Sequence, residues 1–155
     1  MEQYSLPDDG VRVPPNHPES ERSVLGSMLR SREAALLAIE TLKPDDFYDP
    51  ANREVYSAMF DMASASRTID LVTLDEELSR RGKLDAVGGA AYLVELSRSV
   101  PSAANVQAYI KIVDEKSTLR KLIAASEQIL QQSYAAQEET QEILETAEKA
   151  IYDIT

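Results

Sequence analysis

The 155-residue sequence contains no cysteine and no tryptophan, a single histidine and five glycines. Without cysteine there can be no disulfide framework, no thiolate nucleophile and no sulfur-ligated zinc. No stretch approaches the ~18 consecutive apolar residues of a membrane-spanning helix. Met1 to Pro15 is acidic and proline-containing, without the basic and apolar regions of a signal peptide. These absences predict a soluble, cytoplasmic protein with no membrane association. The glycines, at positions 10, 26, 82, 88 and 89, form no GxGxxG, and Gly82-Lys83 runs into Leu84 where a phosphate-binding loop needs Ser or Thr. Nucleotide-loop chemistry is excluded, and one histidine cannot build an HExxH metal site. Positive charge is short as well: 16 Lys and Arg against 27 Asp and Glu give a formal net charge of −11. A phosphate backbone is repelled by such a molecule, so direct nucleic-acid binding is expected to be weak or absent.

What the chain does have is apolar content, 43%, enough for a core in a single domain. Residues 1–15 carry Pro7, Gly10, Pro14 and Pro15 and are expected as a flexible arm. Asn16-His17-Pro18-Glu19 reads as an N-cap and capping box, followed by Val24, Leu25, Met28 and Leu29 at helical spacing. A second helix, over 32–42, ends before Pro44. Asp49-Pro50 caps a third helix carrying Val55, Tyr56, Met59 and Met62, running to about Ala65. Asp70 caps a fourth that stops at Gly82, and Tyr92, Leu93 and Leu96 mark a fifth after Gly88-Gly89. Nothing alternates like a strand.

From Ser102 to Ser133 no Gly or Pro interrupts the chain, which predicts one helix of some thirty residues. Tyr109, Ile112, Leu119, Ile123 and Leu130 form a heptad-like seam on it, interrupted at Lys116 and Ser126. Leu144, Ala147, Ile151 and Ile154 repeat at matching spacing on a second helix, predicting an antiparallel hairpin that turns between Ser133 and Gln137. The expected fold is therefore all-α: an arm (1–15), a compact helical head (16–101) and a long projecting hairpin (102–155). Val106, Ile110, Val113, Leu122 and Ile129 widen the apolar surface beyond what two helices bury, which points to self-association.

Candidate chemistry is sparse. His17 lies in a capping segment. Asp45, Asp46 and Asp49 have the donor type of a hard-metal or acid/base cluster, yet they flank Pro44 and Pro50 at helix boundaries, where Asp serves as a cap. Arg80-Arg81-Lys83, the one tight basic cluster, sits where cations offset a helix C-terminus.

Five tags occur in order along the chain: Glu21-Arg22-Ser23-Val24-Leu25-Gly26, Asp45-Asp46-Phe47-Tyr48, Asp70-Leu71-Val72-Thr73-Leu74, Gly88-Gly89-Ala90-Ala91-Tyr92-Leu93 and Val100-Pro101-Ser102-Ala103-Ala104-Asn105-Val106. With Ile112-Val113-Asp114-Glu115-Lys116 in the long helix, they resemble the N-terminal domain of the DnaB family of bacterial replicative helicases, over about Pro14 to Thr155. The resemblance implies a non-catalytic collar domain in DNA replication. It would assemble with itself as dimers, three to a hexamer, and recruit primase through that enzyme's C-terminal helicase-binding domain; a helicase loader is a further candidate partner. No cofactor is implied for this chain, since ATP and Mg belong to the motor domain that it lacks. Tyr92, Ile123 and Ile129 match family positions tied to primase binding. Self-association is expected through Tyr109, Ile112, Leu119, Ile123, Leu130, Leu144, Ala147 and Ile151. The alternative reading is a free-standing collar-like adaptor or regulator of the primosome. Relatives carry Gly or an acidic cap at the hairpin turn, where this chain has Ala135-Ala136-Gln137.

Overall fold

The computed structural model describes residues 12–155, and the described residues contain helices and no strand. Most of the expected arm, residues 1–11, lies outside them. Two compact units can be told apart, one of Asn16–Leu119 and one that contains Arg120–Thr155. The first half of the long helix thus belongs with the head; the expected division fell at 101/102.

In the first unit α1 (Pro18–Arg30) begins at His17, whose Nδ1 accepts from Ser20 N at 3.1 Å, so the cap is one residue later than Asn16. Ser31 caps α2 (Arg32–Thr41), and a 3-10 turn at Pro44–Asp46 leads to Asp49, which caps α3 (Pro50–Ser64) through Ala51 N at 2.8 Å. Asp70 and Thr73 cap α4 (Leu71–Arg80) reciprocally, satisfying donors that a helix start leaves open. A one-turn helix that the sequence pattern does not announce, α5 (Leu84–Val87), precedes α6 (Gly89–Ser97). Gly82 and Gly88 take positive φ at the ends of α4 and α5, the role glycine fills without a Cβ penalty.

The core gathers Val24, Leu25 and Met28 of α1, Tyr56, Met59 and Met62 of α3, Leu74 and Leu78 of α4, and Leu93 and Leu96 of α6. Phe47 stacks on Tyr56 at 4.5 Å between centroids, and the Tyr56 hydroxyl donates to the carbonyls of Leu42 (2.8 Å) and Ala38 (3.1 Å). A buried hydroxyl with a partner keeps the apolar gain of its ring without the cost of an orphaned donor. Helix α7 (Val106–Ala135) follows a 3-10 turn at Ala103–Asn105 and seals this core with Val106, Ile110 and Val113. Buried Ser117, one step further on the same face, donates to Asp46 Oδ1 at 2.6 Å.

In the second unit α7 ends at Ala135 and α8 (Thr140–Ile154) begins after four residues, so the turn overlaps the expected stretch 133–137 and runs two residues past it. Ala136 makes the turn at φ +47°. The hairpin's inward positions differ from those expected on α8: Ile143, Ala147, Ala150 and Ile154 are half-buried, whereas Leu144 and Ile151 are exposed. On α7 they are Ala125, Ile129 and Gln132. A left-handed backbone costs an L-residue roughly 1–2 kcal/mol that glycine does not incur. Ala136→Gly is therefore expected to stabilise the turn by about 1 kcal/mol, read as slower amide exchange in 137–145.

Candidate functional site

The tags explain themselves once packed. Glu21 is buried on α1, and its carboxylate accepts from Tyr48 N (2.7 Å), Asp49 N (3.3 Å) and Asn52 Nδ2 (3.0 Å). Asn52 is itself fully buried, and its Oδ1 accepts from the Tyr92 hydroxyl. One chain of polar groups so links α1, the start of α3 and α6. A buried network of this kind is favourable only when every member is satisfied. Burial, then the Asp49 carboxylate, pushes the Tyr92 phenol up to about 12, with Arg22 pulling the other way, so the hydroxyl stays a donor at neutral pH. Gly26 completes the α1–α6 contact: a Cβ there would lie 2.3 Å from both Leu96 O and Ser99 Oγ.

Beside this contact runs an open groove of about 730 Å³, lined by Arg22, Ala91, Val94, Arg98, Tyr109 and Ile112 among others. Tyr109 and Ile112 are thereby brought together, both half-buried. Leu119 is 44% exposed. In the other unit Ile123 is 44% exposed and Leu130 56% on α7, and Leu144 is 51% and Ile151 39% on α8. Ile129 and Ala147 are half-buried there. Tyr92 belongs to the first unit, Ile123 and Ile129 to the second.

Asp46 and Asp49 of the acidic cluster, and Arg80 and Arg81 of the basic one, have structural employment. Asp49 caps α3; Asp46 Oδ2 accepts from Lys43 N at 2.7 Å while its Oδ1 holds Ser117. Among the described residues no three His, Cys, Asp or Glu side chains are placed to share a metal ion. Glu77, almost fully buried, draws Arg67 (2.8 Å), Arg80 (2.6 Å) and Arg81 (2.7 Å) around one carboxylate, and Arg81 also reaches Asp61 at 2.8 Å. The hydrogen bonds from Arg67 and Arg81 outweigh burial and hold Glu77 at about 2, well below the ordinary 4.5. A carboxylate depressed on folding contributes stability that is whole above about 4.5 and is lost as pH falls toward 2. Glu77→Gln is expected to flatten the fall in urea midpoint across that window relative to the parent chain.

Glu21, Asn52 and Glu77 were not singled out from the sequence. Glu21 had one available signal: it stands one turn before Val24 and Leu25, on the inward face of an otherwise apolar stripe.

Comparison with known proteins follows this geometry. The family model for the DnaB-like helicase N-terminal domain matches residues 13–115. The chain belongs to that family. It is 41% identical over 143 residues to the replicative DNA helicase DnaC of Bacillus subtilis (strain 168), covering 92% of this chain and 32% of that protein. With the replicative DNA helicase DnaB of Mycobacterium leprae (strain TN) it shares 42% over 149 residues, 95% of this chain and 25% of that one. The chain thus spans a third or less of the length of these relatives. The crystal structure of the N-terminal domain of DnaB helicase from Mycobacterium tuberculosis superimposes with a TM-score of 0.85 at 42% identity, covering 91% of this chain and 99% of that one. A DnaB-like replicative helicase, whose structure was described together with its interactions with primase, matches with a TM-score of 0.73 at 27% identity, over 90% of this chain and 32% of that one. Among the described residues no helix is long and apolar enough to cross a membrane.

Proposed function

We propose that this domain acts in the bacterial cytoplasm as the collar of a replicative helicase, assembling with copies of itself and recruiting primase. The observation that carries the reading is the run of exposed Leu and Ile side chains on α7 and α8: Leu119, Ile123, Leu130, Leu144 and Ile151. A helical hairpin leaves such residues in water only at a free-energy cost that a partner surface removes. Dimers formed this way, three to a ring, are the proposed assembly. Primase is the proposed partner because the structure of a DnaB-like replicative helicase of the same fold was described together with its interactions with primase. Its C-terminal helicase-binding domain would bind near Tyr92, Ile123 and Ile129, and a loader is a further proposed partner.

The test separates Tyr92's hydrogen bond from its ring. Tyr92→Phe removes the hydroxyl held by Asn52, whereas Tyr92→Ala removes the aromatic face as well. If the ring is an anchor, Tyr92→Ala weakens binding of the primase domain by about 2 kcal/mol, near thirtyfold, and Tyr92→Phe by much less. Ile123→Ala and Ile129→Ala are expected to change oligomeric mass and primase affinity together. Calorimetric titration with circular dichroism on each variant decides. Unchanged affinity in all the folded alanine variants would overturn the assignment.

A further inference from the structure

A second concavity, of about 260 Å³, lies in the first unit where α1 meets α2, walled by the chain leaving α3. Its apolar lining includes Met28, Ala35, Leu36 and Ile69, with Leu36 47% exposed. Its charged lining is Arg30, Arg32 and Arg67, and no Asp or Glu contributes. In a chain of net charge −11 that composition is the reverse of the average surface.

Two of the three arginines are fixed in place. Arg30 donates from Nη1 to Ser97 O (3.1 Å) and from Nη2 to Pro101 O (3.3 Å), and Arg67 donates from Nη1 to buried Glu77 (2.8 Å). A guanidinium has five N–H donors, so each keeps donors beyond those bonds. Arg32, the first residue of α2, is exposed and makes no ion pair among the described residues. Pre-positioned cations lose little side-chain entropy when they meet an anion, and guanidinium geometry matches a carboxylate.

We propose that this pocket is a docking site for an acidic peptide segment of a partner protein, one that inserts a bulky apolar side chain over Leu36 and Ile69 and sets flanking carboxylates against the arginines. Charge complementarity at the pocket itself selects this occupant: three guanidiniums and no carboxylate line it, so short-range pairing offsets the long-range repulsion that a net charge of −11 exerts on any anion, and the apolar floor rewards a side chain where a nucleic-acid backbone has none. The site is separate from the α7 and α8 surface proposed for assembly, and its failure would leave that reading untouched.

The experiment titrates the whole domain with the peptide acetyl-Glu-Asp-Phe-Glu-Asp-amide, followed by amide chemical shifts in 28–36 and 63–69. The same peptide with Gln and Asn for Glu and Asp serves as the uncharged control, and oligothymidylate as the nucleic-acid control. Saturable shifts confined to those segments are expected. Affinity should fall about tenfold for the uncharged peptide and for Arg32→Glu, the equivalent of one lost charge-assisted contact. Leu36→Ala, on an exposed position and so compatible with folding, should weaken the acidic peptide at least threefold. Equal binding of charged and uncharged peptides, an unaffected Arg32→Glu variant, or stronger shifts with oligothymidylate than with the peptide would each overturn the proposal.

Discussion

Replacing Gly26 by alanine will lower stability by about 3 kcal/mol, the upper end of what overpacking costs, and the melting temperature by roughly 10 °C. The added Cβ would stand 2.3 Å from Leu96 O and from Ser99 Oγ. A serine side chain can rotate away. The Leu96 carbonyl belongs to the α6 backbone and cannot. Ser99 Oγ shares its proton between Leu96 O at 2.7 Å and Arg22 O at 3.1 Å, so pushing it aside breaks the bond to Arg22 that pins the end of α6 to α1. Adding Ser99→Ala to Gly26→Ala should recover only a minor part of the loss, because the backbone contact remains. Gly89→Ala makes the control: nothing lies within 4 Å of its Cβ, and its φ of +73° predicts only strain, about 1 kcal/mol. Thermal and urea denaturation followed by circular dichroism would show the ordering. A Gly26→Ala domain as stable as Gly89→Ala would mean that α1 and α6 approach less closely than described.

The second large effect concerns assembly. Leu119→Ala and Ile123→Ala should each weaken self-association by about 2–5 kcal/mol, the range for truncating a side chain that packs as in a core. In an interface with two-fold symmetry each substitution acts twice, which raises the effect per dimer. Both positions are 44% exposed in the single chain, so neither variant should lose much monomer stability. That contrast separates an interface residue from a core residue. Ile110→Ala, buried against the head, is expected to do the opposite: destabilise the fold and leave association among folded chains less affected. Sedimentation equilibrium over a wide concentration range measures the first quantity, and denaturation the second. A parent chain that stays monomeric at millimolar concentration would refute the assembly role.

Helix boundaries were legible where a single residue dictates the backbone. Asp49 before Pro50, Asp70 three residues before Thr73, and Gly82 and Gly88 at positive φ are local solutions to unsatisfied amides and left-handed turns, and local rules find them. The all-α fold and the long helix followed from the same signals. Less was legible where tertiary contact decides. Both faces of α7 are apolar enough to be the inner one, and the face that turns to the head includes Ser117, which hydropathy scores as surface. Its partner Asp46 was read as a boundary aspartate, since nothing local shows a hydroxyl arriving from 71 residues away. Glu77 was invisible for the same reason, and Glu21 showed only its place on an apolar stripe: a carboxylate counts as exposed until its donors are brought to it by folding. On α8 the inner stripe is shifted from Leu144 and Ile151 to Ile143 and Ala150. Ala147 and Ile154 stand on the inner face as expected, and periodicity that favours large side chains placed Leu144 and Ile151 beside them.

The hairpin turn has a consequence for how copies of this chain can entangle. Ala136 holds a left-handed conformation that alanine resists, and the flanking residues Tyr134, Ala135 and Gln137 include no Gly, Pro, Asn or Asp. Helical propensity therefore favours straightening the bend, and the half-buried stripe of Ile143, Ala147, Ala150 and Ile154 opposes it. If the bend opens, α8 continues α7 and leaves its own chain, and the same stripe can close on the α7 of a second molecule with every contact preserved. Closure within one chain then competes with exchange between two, and protein concentration sets the balance. Slow interconversion of a compact monomer and an interlocked dimer is the signature of that competition, and the Ala136→Gly chain, with its bend relieved of strain, is the form in which it fades.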